Sequence, residues 1–367
     1  MRPGHSHRAT HRKSSERWRH ERHNTVGREF YMKLRAYAKI NLSLEIIKKR
    51  RDHFHELVMI MQSVSLYDEI SFDLTDRPGI CVKTTAPDLP TDDANIVVRL
   101  YQYMKEAYSL QQGLEVTLTK NIPIAAGLAG GSANAAATLY AINALFQLNL
   151  NRGDLFNICT MFGSDIVFTY YGGSKLATGR GEILEDIFLP RLDLVLINPG
   201  VPLSTAAVYG CFKPGIPNPH EAECIAIKHE RFHVWRYAPD TTRAGTMQKL
   251  MPKRVEKHCL VLKTHDPGFL SRIKSPHNLS PIDICPHCFN HLEPFAIGLN
   301  SDVAKLKQQL LDHGAITAMM TGSGPTCFGI FNNADKAKEA FGRLKKTLPP
   351  DHKVFLVSSF EKGIDHI

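Results

Sequence analysis

Three glycines, a serine and an asparagine in "GLAGGSAN" (127–134) stand directly before an alanine-rich apolar run. A loop of this kind lets backbone N–H groups approach an anion, and the mouth of the helix behind it adds about half a positive charge. It is not a Walker A loop, because no Lys-Ser/Thr pair follows its last glycine, and it does not match G-x-G-x-x-G. Read alone, it is either a phosphate cradle or a turn that lets a helix pack closely. Ser132 either caps that helix or helps to hold a Mg²⁺ ion. Lys39 and Asn41, two residues apart, share one face of an otherwise apolar strand. Facing solvent they would be ordinary; lining a cleft, the lysine could hold a phosphate or a reacting hydroxyl. Asp165 stands alone among apolar and aromatic neighbours in "FGSDIVFTYY", as a helix cap or a functional carboxylate. "TGRGE" (178–182) reads as a tight turn carrying Arg180 and Glu182, and "TGSGP" (321–325) as a second glycine loop between strands.

The elements that must position these residues follow from periodicity. "KINLSLEI" alternates, with Ile40, Leu42, Leu44 and Ile46 on one face and Lys39, Asn41, Ser43 and Glu45 on the other. "LEVTLTK" (114–120) alternates as well, directing Leu114, Val116 and Leu118 inward. Behind the glycines, Leu139, Ile142, Leu145 and Phe146 recur at helical spacing. "LDLVLINPG" (192–200) reads as a buried strand ending in a turn. A helix is expected near 302–311, strands at 315–320 and 327–331, a helix around 335–346 and a strand at 354–357. Strands alternating with helices suggest an α/β or α+β architecture in two lobes.

Bulk properties exclude several classes. The 367 residues, 43% hydrophobic and 22% charged, suit a globular protein of two domains. No apolar run approaches the roughly 18 residues of a membrane span, and the N-terminus lacks the apolar core of a secretory signal. Eight scattered cysteines suggest reduced thiols and a cytoplasmic location. The net charge of +9 is unevenly placed: residues 1–31 carry +5, residues 213–289 another +5, and the rest about −1. A nucleic-acid partner would therefore be a matter of appendages only, and it is not expected. Residues 1–31 read as a disordered basic extension, and 213–289 as an irregular insertion, flexible or poorly folded. Cys285, His287 and Cys288, with His258 and Cys259 upstream, raise a zinc site; a single upstream thiol falls short of the second close pair a zinc signature needs, so no metal is assigned.

The combination is more specific than its parts. "AKINLSLEI", "PIAAGLAGGSANAAATL", "GSDIVF", "ATGRGE" and "MTGSGPTCFGIF", in this order, resemble the three signature motifs of the GHMP small-molecule kinases. "RRDHFHELVMIMQSVSLYDEI" and "STAAVY" resemble the branch acting on a cytidine-diphosphate methylerythritol more than the mevalonate or homoserine branches. The resemblance covers 32–212 and 289–360. It implies an α+β, two-lobed GHMP kinase fold: a ribosomal-protein-S5-like N-terminal lobe (32–195), a ferredoxin-like C-terminal lobe (196–367), and a site between them. It also implies ATP and Mg²⁺, transfer to the 2-hydroxyl of the small-molecule acceptor, a monomer or homodimer, and no membrane partner. Another small alcohol as acceptor, or a silent nucleotide-binding protein on this fold, are the alternatives.

By the same resemblance Lys39 and Asp165 are catalytic. Asn95 lies near the adenine, and Pro123, Ala125, Ala126, Gly127, Leu128, Ala129, Gly130, Gly131, Ser132 and Ala133 wrap the ATP. Phe54, His55 and Tyr209 stack on and hydrogen-bond the cytosine, with the pyrimidine sandwiched between Phe54 and Tyr209. Asn41 belongs to the substrate pocket, and Gly322, Ser323 and Gly324 shape the cleft. Three positions depart from the pattern: His53 replaces a glycine, so its turn is expected to be strained or differently shaped; Val167 replaces a proline; and His291 stands where an acid is common.

Overall fold

The computed structural model describes residues 31–212, 225–228, 259–262, 267–275 and 279–367. The expected disorder of 1–30 and the character of most of 213–266 lie outside the described residues. In chain order the elements begin with β1 (Tyr31–Lys49), β2 (His55–Thr75), β3 (Ile80–Thr84), α1 (Ile96–Tyr108), β4 (Gly113–Thr119) and α2 (Gly130–Leu145). Next come α3 (Arg152–Phe162), α4 (Ser164–Tyr171), β5 (Ser174–Gly179), β6 (Ile183–Asp186), β7 (Asp193–Asn198) and α5 (Thr205–Gly210). A small pair, β8 (Ile225–Lys228) and β9 (Cys259–Leu262), is followed by α6 (Pro267–Ile273), α7 (Pro281–Ile284), β10 (Phe289–Asn290) and α8 (Glu293–Leu299). The chain ends with α9 (Asp302–Asp312), β11 (Thr317–Met320), β12 (Cys327–Phe331), α10 (Ala334–Thr347), β13 (Lys353–Phe360) and β14 (Ile364–His366).

The alternation in β1 is present, but neither face meets solvent. Ile40 and Leu42 are buried as expected, and Lys39, Asn41, Ser43 and Glu45 are each no more than 4% exposed. In the sheet the strand lies between β2 on one side and β10 and β14 on the other, and on its polar face Lys39 and Asn41 line a cavity instead of open solvent. Pairing of β1 with β2 shifts register between Tyr37 and Lys39 and again between Asn41 and Ser43. Such bulges re-aim side chains locally, and these two bracket the polar pair that sequence singled out.

Among the later elements, β7, α9, β11, β12, α10 and β13 form a βαββαβ unit. Its strands lie in the order β13-β7-β12-β11 and every neighbouring pair is antiparallel, which is the ferredoxin-like arrangement. Val303, Leu306 and Leu310 supply the buried stripe of α9, and Ala337, Ala340 and Leu344 that of α10. Asn333 caps α10 by accepting a hydrogen bond from the Lys336 amide.

Several expected boundaries move. The division at 195/196 falls inside β7, which pairs with β12 and β13 from Asp193 onward. Tyr31, placed in the extension, already pairs with Asp73 as the first residue of β1. The last residues return to the first lobe, because β14 pairs with β1. β13 also pairs with β2 through Ser359 and Phe360, so one sheet runs through both lobes. The end of the presumed insertion is ordered: Phe269, Ile273 and Ile284 are fully buried, and the Phe188 amide donates to the Ile273 carbonyl at 2.6 Å. Helices of four to seven residues are too short to show a 3.6-residue period, which hides this packing from sequence.

The cysteine pair there has a packing role. The Cys285 and Cys288 thiols donate to the carbonyls of Pro281 and Ile284, and burial pushes both thiol pKa values up, that of Cys285 to about 11. The His287 ring lies flat on Phe269 at 3.6 Å. Among the described residues no cluster of three His, Cys, Asp or Glu side chains could hold a metal. His258 and the Cys259 side chain lie outside them.

Candidate active site

The first glycine loop is shaped by a close approach of two backbones. Gly127 has φ +76°, and a Cβ there would meet the Thr321 carbonyl oxygen at 2.4 Å. A Cβ on Gly322 (φ +58°) would lie 2.8 Å from the Gly127 oxygen and 3.2 Å from Lys39 Nζ. The two glycine loops therefore sit back to back with no room for side chains between them. Asn290 locks the second loop by donating to the Met320 and Gly322 carbonyls, and Thr321 Oγ1 accepts from the Asn41 amide at 2.9 Å.

α2 starts at Gly130 behind Ala129, which has φ +57° and offers no capping side chain. Ser132 is the third helical residue and caps nothing, which resolves one of its two alternatives. The first amides of α2 consequently open onto a cavity of about 400 Å³ without a protein acceptor at the cap. An uncapped helix mouth facing a cleft is an anion site by charge and by hydrogen-bond need.

Lys39 reaches into this cavity with its side chain 5% exposed. Its Nζ donates to Asn41 Oδ1 at 2.7 Å and to the Gly127 carbonyl at 3.1 Å, and lies 3.7 Å from Asp165 Oδ2. Asp165 is the second residue of α4; the cap position belongs to Gly163, and Asp165 lines the cavity. An ammonium, a carboxylate and a helix mouth share one cavity.

Aromatic side chains cluster at one side. The His55 ring stacks on Tyr209, with centroids 5.3 Å apart and planes at 30°, and Phe212 meets His55 edge-on at 5.7 Å. Phe54 is 52% exposed and lies beneath the Arg180 guanidinium, 4.6 Å from the ring centroid. Burial lowers the His55 pKa from the usual 6.5, with a smaller contribution from Lys49, and burial raises that of Tyr209. His53 adopts φ +66°, a left-handed conformation that costs an L-residue, so of the two expectations for its turn the structure has the strained one.

The structure gathers most of the expected residues and relocates some. Lys39, Asn41, Pro123, Ala125, Ala126, Gly127, Ala129, Gly130, Gly131, Ser132, Asp165, Tyr209, Gly322 and Ser323 line the cavity. Asn95 does not: it caps α1, accepting from the Val97 amide and donating to the Pro90 carbonyl, while its neighbours Leu89 and Ile96 line the wall. Leu128 and Ala133 are fully buried and face the core, and the Gly324 backbone packs beside Met320 rather than on the cavity wall. Phe54 and His55 stand outside the lining; the His55 ring covers one face of Tyr209, and Phe54 lies against the Arg180 guanidinium. Sequence reasoning noted Arg180 without a role and passed over Lys120 and Asn134, all three of which line the cavity. Alternating strand ends and helix starts contain many such polar residues, so no local signal marks them.

The GHMP kinases N terminal domain family matches residues 95–173, and the GHMP kinases C terminal family matches residues 283–350. These matches, with the two-lobed sheet and its paired glycine loops, define a GHMP kinase. The 4-diphosphocytidyl-2-C-methyl-D-erythritol kinase of Pelotomaculum thermopropionicum is 35% identical over 89% of this chain and 96% of its own length. That of Syntrophus aciditrophicus is 35% identical over 90% of this chain and its full length. The chain belongs to the 4-diphosphocytidyl-2-C-methyl-D-erythritol kinase family. A crystal structure of a 4-(cytidine 5'-diphospho)-2C-methyl-D-erythritol kinase superposes with TM-score 0.61 at 22% identity, covering 89% of this chain and 99% of the other. Homoserine kinase from Cytophaga hutchinsonii superposes with 0.63 at 19% identity over 95% and 100%, so the fold is common to kinases of different acceptors. Among the described residues no helix is long and apolar enough to cross a membrane.

Proposed function

We propose that the chain transfers the γ-phosphoryl group of ATP to the 2-hydroxyl of 4-diphosphocytidyl-2-C-methyl-D-erythritol, with Lys39 and Asp165 at the reaction centre. The observation that carries this reading is the Lys39–Asp165 pair, 3.7 Å apart, inside the cavity onto which the uncapped α2 mouth opens. Phosphoryl transfer depends on positioning and charge neutralisation more than on covalent chemistry. The α2 amides and the Gly127–Gly131 backbone hold the phosphates. Asp165 takes the hydroxyl proton while the oxygen forms its bond to phosphorus and the bond to the ADP oxygen breaks. Lys39 steadies the carboxylate and the transferring group. Ser132 Oγ and the Asp165 carboxylate line the same cavity, a donor set suited to Mg²⁺, which takes one or two protein oxygens and fills its octahedron from phosphates and water. When bound, that ion would supply neutralisation of the β- and γ-phosphates. At the other end Tyr209 and Phe54 offer faces for the cytosine, and Arg180 offers a cation toward the acceptor diphosphate.

The test is ADP release with ATP, Mg²⁺ and the cytidyl acceptor. Wild type is expected to release ADP only when the acceptor is present, and Asp165→Asn to lose about 10²–10⁴-fold in kcat with the ATP KM within twofold. Release with unrelated small alcohols but not the cytidyl compound would assign a different acceptor. Full activity in Asp165→Asn would remove the carboxylate from its role.

A further inference from the structure

We infer that Lys120 is a phosphate-facing cation of the nucleotide subsite, held in place by the buried carboxylate of Asp68 and the amide of Asn134. This rests on the kinase reading above and assigns a binding residue within it.

Asp68 on β2 is completely buried and lies behind the cavity wall. Its Oδ1 accepts the amides of Asn121 at 2.8 Å and Ile122 at 2.9 Å, fixing the chain that leads into the glycine loop. Its Oδ2 accepts the Asn134 side-chain amide at 2.8 Å and the Lys120 ammonium. Lys120 Nζ also donates to Asn134 Oδ1 at 3.2 Å. Two of the three ammonium donors thus point back into protein. Lys120 itself lines the cavity, with its side chain 6% exposed.

Position decides what the ammonium is for. A Cβ built on Gly130, the first residue of α2, would come within 3.1 Å of Lys120 Nζ. A cation therefore stands beside the positive end of a helix that carries no capping oxygen. Without an anion the two would repel, because like charge at a helix N-terminus is unfavourable. Asp68 offsets the charge from behind and leaves the front of the ammonium for a ligand. Three neutral donors already satisfy the carboxylate (two backbone amides and Asn134), so hydrogen-bonding Asp68 does not by itself require a lysine. A polyanion entering the cavity would meet the helix mouth and the ammonium together, which supplies the positive charge that a Walker lysine supplies elsewhere.

The test compares adenosine, ADP and ATP binding by titration, alongside steady-state kinetics. Lys120→Met leaves Asp68 buried without its counter-ion and can fail to fold, so Lys120→Met/Asp68→Asn, which removes both charges, is measured with it. In the folded variants ADP and ATP affinities are expected to fall at least fivefold and adenosine affinity to stay within twofold of wild type. The ATP KM should rise in step, with the acceptor KM within twofold. An adenosine affinity that falls as much as that of ATP would overturn the assignment and make Lys120 a base contact. Unchanged ADP and ATP affinities in the double variant would overturn it too and leave the pair a structural one. Wild type that turns over no ATP with the acceptor would overturn instead the kinase reading beneath it.

Discussion

The two ends of the cavity are built by different means. At the glycine-loop end the surface is mostly backbone, with two glycine loops pressed together and an uncapped helix mouth, and one ammonium beside it is held by a fully buried carboxylate. At the aromatic end it is side chain: a half-exposed Phe54, a stacked His55–Tyr209 pair, and a turn strained at His53. Backbone amides present the same donors whatever the sequence, so an anion site of that kind travels with the fold. Side chains on the rim can change without disturbing the sheet. This matches a fold common to homoserine and mevalonate kinases, whose acceptors differ while the architecture does not.

If the glycine-loop end depends on close backbone approach, Gly127→Ala should do the greatest damage. Its Cβ would stand 2.4 Å from the Thr321 oxygen at a φ that L-residues avoid, so both glycine loops must move. We expect a stability loss of about 1–3 kcal/mol, read by denaturant titration, together with loss of most kinase activity. Native-like stability and turnover would show that the loops have slack, and would break the contrast.

At the aromatic end the effect should be confined to the acceptor. Tyr209→Ala removes a stacking face worth about 1–3 kcal/mol, so the acceptor KM should rise roughly 5- to 150-fold with the ATP KM unchanged. A parallel rise in both constants would mean that Tyr209 supports the whole cleft.

Acidity should likewise act on one end. The folded-state pKa of His55 is depressed below 6.5, chiefly by burial, so the folded protein binds fewer protons than the unfolded chain just below that pH. The stability tied to neutral His55 is therefore fully present above about pH 6.5 and is lost as pH falls from there through the lowered folded-state pKa. The stacking changes only when the folded ring itself takes a proton, so the acceptor KM should climb as pH falls through that lower pKa, and His55→Gln should flatten that part of the profile. An ATP KM that climbs equally would place the titration elsewhere.

The smallest effect is expected at the turn. His53 has φ +66°, so His53→Gly should relieve strain and stabilise the protein by about 0.5–1 kcal/mol. A destabilised variant would show that the His53 side chain earns its place through contacts instead.

How much of the site could be read from sequence varies with how local each signal is. Gly127, Gly130 and Gly131 were legible because a glycine-rich loop before an apolar helix has few uses. Lys39 and Asp165 were legible as polar residues in apolar surroundings, and resemblance supplied the roles proposed for them. The part Asn95 plays in capping α1 was not legible, because its partners, the Pro90 carbonyl and the Val97 amide, are set by the local turn. Lys120 went unnoticed because its partners Asp68 and Asn134 stand 52 and 14 residues away, across two strands and a helix.

By itself the amino-acid sequence determined the period-two and period-3.6 patterns, the glycine positions and the order of motifs, since these rest on local sterics and burial. Only the tertiary structure decided that the polar face of β1 is enclosed, that the two glycine loops meet, and that Lys120 stands at the α2 mouth. Each of these is a contact between residues far apart in the chain. Their energies depend on what packs behind them, and no local pattern records that.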